Sequence, residues 1–318
     1  MPTMLKSFSL TGLIAAPHTP FHEDGSLNLD MVPLQADHLV SQGVQGVFVA
    51  GTTGESQSMA LEERLALVEA WSRAIKARLA LVVHVGSNSN GDASYLAKHA
   101  RDCGAQAIAA CSPSFFKPLG PDILVEFHKP IADAVPGLPF YHYHIPSFTG
   151  SNGQIGAFLR SASEKIPNLA GVKFSHTDLA DLLDCMTLEG GKFDILFGCD
   201  EMLLGALALG IKGAVGSTYN IAPKIYQDMI EAFNRGDLAQ ARALQLRSVR
   251  LVQLMNEFGG LAGGKALMGQ LGIECGPVRA PLVPLAREQV QALREKFLLQ
   301  KPLASFENGK APAVVQSR

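Results

Sequence analysis

No two of the five cysteines, Cys103, Cys111, Cys185, Cys199 and Cys275, stand in CxxC spacing. An odd, dispersed set argues against a disulfide framework or a cysteine zinc site and fits reduced thiols in a cytoplasmic protein. Long apolar runs are missing too: no uninterrupted stretch of about 18 apolar residues could span a bilayer. The N-terminal MPTMLKSFSLTG lacks the apolar run of a signal peptide, so a soluble, cytoplasmic protein is the expectation. Neither sign of charge is in excess, with 27 Lys and Arg against 29 Asp and Glu. Lacking a basic patch or a Lys/Arg-rich amphipathic helix, the chain is not expected to bind nucleic acid or a membrane surface. The one tryptophan, Trp71, lies on a segment of helical period and, like the cysteines, reads as a packing residue.

What is present is apolar and regularly punctuated. Hydrophobic residues make up 47% and charged ones 18%, enough for a sizeable core. Short apolar runs fall at 10–19, 43–51, 79–86, 105–112, 138–145, 169–175, 193–199 and 213–220. Between them lie stretches such as LEERLALVEAWSRAIKAR over 61–78, in which Leu61, Leu65, Val68 and Ile75 fall near one helical face. Strands apolar on both faces and joined by helices make a parallel sheet under helical cover. Eight such units over roughly 230 residues suit a closed α/β (β/α)8 TIM barrel. An open doubly wound sheet is the alternative, but its GxGxxG fingerprint is missing where the first strand runs into AAPHTPFHEDG. The expected organisation is a catalytic barrel over 8–235, a C-terminal helical extension over 236–306 with helices near 237–258, 262–271 and 286–299, and a flexible tail over 307–318.

In such a barrel, chemistry belongs at the C-terminal ends of the strands. Polar residues gather there: Thr52 and Thr53 after the second strand, Tyr143 and His144 on the fifth, Lys173 and Ser175 on the sixth, Asp200 and Glu201 after the seventh, Ser217 after the eighth. A strand-end lysine ordinarily reaches for solvent. Here, however, Val172 and Phe174 share the face that suits the surrounding helices, which turns Lys173 inward with Gly171 and Ser175. Desolvation lowers an amine from about 10.4 towards neutrality. A neutral amine can attack a ketone or aldehyde and form a Schiff base.

Thr52 and Thr53 in the turn GTTGE could form a small anion nest for a carboxylate, or serve an ordinary capped turn. In YHYHIP the tyrosines and histidines occupy opposite faces. Histidines inward would offer a metal pair with Lys173 as a carbamylated bridge. Tyrosines inward would put the Tyr143 phenol beside Lys173 as a proton relay. No histidine follows His176, which favours the tyrosines. Asp200 and Glu201 read either as a helix N-cap pair or, aided by Ser217, as acceptors for the hydroxyls of a polyol.

GTTGE, then Tyr143-x-Ile-Pro, then GVK ending at Lys173, resembles the N-acetylneuraminate lyase and dihydrodipicolinate synthase superfamily of pyruvate-dependent class I aldolases, over roughly residues 8–300. Within it, YHYHIPSFTG, GVKFSHTDL, LFGCDE and GAVGSTYN are similar to the sialate-cleaving branch, particularly its animal form. The resemblance implies Lys173 as the Schiff-base nucleophile, Tyr143 as proton carrier, Thr52 and Thr53 on the substrate carboxylate, and Ser175, Gly198, Asp200, Glu201, Gly216 and Ser217 along a glycerol-like tail. It implies small-molecule partners (sialic acid, pyruvate and N-acetylmannosamine), no metal, no cofactor and a homotetramer. A related aldolase or dehydratase acting on a 2-keto-3-deoxy sugar acid, or a metal-dependent hydrolase, are the alternatives. The synthase branch carries an arginine where Phe148 stands, which disfavours a dicarboxylate substrate. Phe115 and Phe116 stand in a loop where many members carry a tyrosine that reaches the neighbouring subunit's site, so an intersubunit phenol is not expected.

Overall fold

A computed structural model describes residues 9–299, so the expected tail at 307–318 lies outside the described residues. Each of the eight apolar runs contains one strand: β1 Gly12–Ala15, β2 Gly46–Val49, β3 Ala80–His84, β4 Ala107–Cys111, β5 Phe140–His144, β6 Leu169–Phe174, β7 Asp194–Phe197 and β8 Gly213–Gly216. They close in chain order into a TIM barrel. Every neighbouring pair is parallel, including β1 with β8 from Gly12↔Gly213 to Ala15↔Gly216.

Alternation along the strands divides the core into two layers. Ile14, Phe48, Val82, Tyr141, Leu196 and Val215 fill the barrel. Val47, Leu81, Ile108, Val172, Phe174 and Phe197 pack outward beneath the helices. The N-terminal mouth is closed by Asp194, whose carboxylate accepts the Tyr141 hydroxyl at 2.6 Å and the Leu10 N–H at 2.9 Å.

The helix read over 61–78 spans Leu61–Ile75, and the chain turns away through Lys76 and Ala77 at φ 47° and 61°. Its buried stripe is centred on Leu67 and Trp71, whereas Leu61 and Leu65 are only partly covered. Helix Val32–Ser41 packs on this helix. After the last strand come helices Pro223–Asn234, Leu238–Glu257, Leu261–Gly269 and Arg287–Leu299. Two of them reach back to the strand ends. Gln245 and Ser248 of Leu238–Glu257 contact the segment after β7, and Lys265 of Leu261–Gly269 contacts the turn after β2.

Candidate active site

Lys173 points into the barrel. It is 4% exposed, with Nζ 4.0 Å from the centroid of the Phe48 ring and 3.9 Å from that of Tyr143. The two rings meet edge to face at 5.4 Å. Burial between them lowers the amine to about 7, opposed by the attraction of the Asp200 carboxylate. An amine so placed is about half neutral at pH 7, whereas an ordinary lysine is almost wholly protonated there.

Tyr143 is paired in register with Lys173 across β5 and β6, so the phenol and the amine are direct neighbours. Its hydroxyl lies 3.1 Å from Thr52 Oγ1. Burial raises the phenol well above its ordinary range, and hydrogen bonds from Thr52 and Ser175 oppose the rise. At rest it is therefore a protonated group able to donate.

The histidines of the same strand face outward. His142 Nδ1 lies 2.9 Å from His128 Nε2, and the His144 ring packs against Phe174 and His176. They are on the opposite face of β5 from Lys173's neighbour Tyr143, so a metal pair bridged by that lysine is not assembled. Among the described residues no group of three His, Cys, Asp or Glu could hold a metal.

Thr52 and Thr53 ride on a turn pinned at both ends. Ala50 and Glu55 adopt left-handed conformations, φ 57° and 54°, that cost a non-glycine residue energy. His84 Nδ1 lies 2.9 Å from the Ala50 carbonyl, and the Thr19 hydroxyl donates to the Gly54 carbonyl at 2.6 Å. Glu55 turns away from the site: it pairs with buried Lys265 at 2.7 Å and accepts the Arg279 N–H at 2.9 Å, while the Arg279 guanidinium forks onto Glu63.

The remaining expected residues lie at the C-terminal ends of β6, β7 and β8. Ser175 is half-buried, and a Cβ at Gly198 would stand 2.0 Å from its Oγ, so that position has room only for glycine. Asp200 is buried, which raises its carboxyl to about 6 against the hydrogen bonds it accepts from Thr218. A Cβ at Gly216 would collide with the same carboxylate. Glu201, next to it in the chain, and Ser217, next to Thr218, are half-buried; the Ser217 carbonyl accepts the Asn220 amide at 2.8 Å.

One neighbour of the amine escaped the sequence reading. Phe48 supplies one wall of the lysine's slot. Cys111 and Cys199, read as packing residues, do pack against the core, Cys111 on the barrel interior and Cys199 on the outer layer. Alternation along β4 accounts for Cys111, which shares the inward face of Ala107 and Ala109. Phe148 is 67% exposed at the rim, and Phe115 and Phe116 are 78% and 83% exposed.

The comparisons with known proteins agree with this fold. The model of the dihydrodipicolinate synthetase family matches residues 9–300. N-acetylneuraminate lyase of Xenopus tropicalis is 43% identical, over 91% of this chain and 96% of that protein. The enzyme of that name from Danio rerio is 41% identical, over 91% of this chain and 95% of its own. The solved Proteus mirabilis N-acetylneuraminate lyase superposes with a TM-score of 0.90 at 41% identity, covering 92% of this chain and 99% of that one. With a matching model along nearly its whole described length and relatives this similar, the chain belongs to the dihydrodipicolinate synthetase family.

Proposed function

We propose that this chain is a Schiff-base aldolase that cleaves N-acetylneuraminate reversibly to pyruvate and N-acetylmannosamine. The observation that carries the reading is the Lys173 amine, buried between two rings and lowered to about 7. Relatives that bear the lyase name over nearly their whole length favour sialate over other 2-keto sugar acids.

In this reading Lys173 Nζ adds to the C2 ketone of the open-chain sugar, water leaves, and an iminium forms. The iminium draws in the electrons of the C3–C4 bond as that bond breaks, giving an enamine and the free aldehyde. The C4 hydroxyl proton passes to the Tyr143 oxygen. Because the phenol is held protonated, its own proton moves on to the substrate carboxylate, and a proton later returns along the same path to the enamine carbon. Water then adds to the pyruvyl iminium, and collapse of the carbinolamine breaks the C–N bond to free pyruvate and the Lys173 amine. Thr52 and Thr53 hold the carboxylate near the Tyr143 hydroxyl. Ser175, Gly198, Asp200, Glu201, Gly216 and Ser217 line the end that takes the hydroxylated tail.

The reading retains the division into a catalytic barrel over 8–235 and a helical extension over 236–306. It includes a homotetramer, for which the exposed Phe115, Phe116 and Leu119 offer apolar surface. It also includes a cytoplasmic location, in keeping with five unpaired thiols. Borohydride reduction in the presence of pyruvate, followed by mass spectrometry, tests the chemistry. A pyruvyl adduct on Lys173 is expected, and an unmodified Lys173 would refute the imine route.

A further inference from the structure

Asp200 is gripped at both its side chain and its backbone. Carboxylate Oδ2 accepts the Thr218 N–H at 3.0 Å and the Thr218 hydroxyl at 2.6 Å. Thr218 Oγ1 in turn lies 2.6 Å from the Tyr226 hydroxyl, which lies 2.9 Å from Ser248 Oγ. Ser248 donates at 2.9 Å to the backbone carbonyl of Asp200 itself, so the single Tyr226 proton is shared between its two neighbours, bonding Thr218 or Ser248 at any one time. Gln245, one turn earlier on the same helix, adds a bond of 3.2 Å to that carbonyl and accepts the Leu204 N–H at 2.7 Å. Thr218, Tyr226 and Ser248 are all fully buried.

We propose that Thr218, Tyr226 and Ser248 are positioning residues for the Asp200 carboxylate, through which helix Leu238–Glu257 sets the end of the site that receives the hydroxylated sugar. The proposal rests on the aldolase reading and refines it.

Three physical points support it. A buried carboxylate free to rotate loses orientation, whereas one fixed by two donors at Oδ2 presents Oδ1 in one place. That place lies over Gly216, where a side chain would stand 2.1 Å from Oδ1, so the fold leaves a notch for this rotamer. The second point is economy of contact. Tyr226 on helix Pro223–Asn234 and Ser248 on Leu238–Glu257 bury hydroxyls that a purely apolar interface would dispense with, and a buried hydroxyl without partners is costly. The third is separation. The turn bearing Thr52 is anchored by His84, Thr19, Lys265 and Arg279, none of which belongs to the Asp200 network. The two halves of the site therefore rest on separate hydrogen-bond supports.

The test uses the full chain and three variants that each delete one hydroxyl at nearly constant volume: Thr218→Val, Tyr226→Phe and Ser248→Ala. Two quantities are read. The first is the pyruvate concentration that half-saturates borohydride trapping on Lys173. The second is KM for N-acetylmannosamine in the condensation direction at saturating pyruvate. Half-saturation by pyruvate should match wild type, which also shows that the variants are folded at Lys173. KM for N-acetylmannosamine should rise about tenfold in Thr218→Val, where a bond to a charged group is lost, and less in the other two. Thr218→Ser, which restores the hydroxyl, should return KM to the wild-type value. Unchanged N-acetylmannosamine kinetics in all three variants, or an equal loss in trapping and condensation, would overturn the proposal while leaving the aldolase reading intact. A wild-type protein that traps no pyruvate would remove both.

Discussion

A lysine in the interior of a barrel is a liability that only its chemistry repays. Since the folded state holds Lys173 at about 7, below its ordinary 10.5, the unfolded chain binds the proton more tightly. The penalty is fully developed below about pH 7 and fades as pH rises towards the unfolded value, so stability increases with pH over that window. Lys173→Met should therefore abolish turnover and, at neutral pH, raise stability by on the order of 2–4 kcal/mol, as read from urea unfolding. Lost activity with lowered stability would mean that the amine is better accommodated than its surroundings indicate. The same titration sets a kinetic limb: kcat/KM should fall with acid below about pH 7 as the nucleophile is protonated, and a flat profile from pH 8 to 6 would contradict this. Much of this residue scale was legible beforehand, because Val172 and Phe174 fix which face of β6 is outward and Lys173 takes the other. Phe48 was not legible as the lysine's neighbour, since nothing in β2 alone says which residue of a distant strand it will cover.

Among the elements, the turn after β2 is the most conspicuously supported. Its two left-handed residues are unfavourable in isolation, and the Glu55–Lys265 pair that holds one end has both side chains almost wholly buried. Removing one partner of such a pair leaves a charge without compensation. Lys265→Met should cost about 3–5 kcal/mol, and the double variant Lys265→Met, Glu55→Gln should recover a large part of it. Additive losses in the double-mutant cycle would show that the two groups do not depend on each other. The GTTGE motif was visible in the sequence, but the reading attended to its hydroxyls. Glu55 finds its partner 210 positions further along the chain at Lys265, in a helix whose approach to the barrel no local pattern encodes.

Over the whole molecule, five histidines are buried: His18, His84, His128, His142 and His144. Desolvation lowers the first three to about 3 and His144 to about 4, and holds His142 well below its ordinary 6.5. The unfolded chain takes up these protons first, so their contribution is intact above about pH 6.5 and is lost progressively as pH falls to about 3. The raised carboxyls of Asp200 and Asp194 work in the opposite direction, but they are outnumbered. The urea midpoint at pH 5 should lie well below that at pH 7.5, with a steep acid transition; equal midpoints would show that the imidazoles protonate without unfolding. His142 and His144 lie on the outward face of β5 and have no place in the proposed chemistry.

The sequence by itself determined the eight strands, their alternation and the rim on which the polar residues collect, because side-chain period and apolar runs are local properties of the chain. It also determined the inward face of β6, since two large apolar neighbours leave the lysine no other side. Only the tertiary structure decided which groups stand against that amine, how the turn after β2 is anchored, and that a serine in a late helix reaches back to Asp200. Those contacts join residues far apart in the chain, and their geometry depends on how the barrel closes and where the C-terminal helices come to rest.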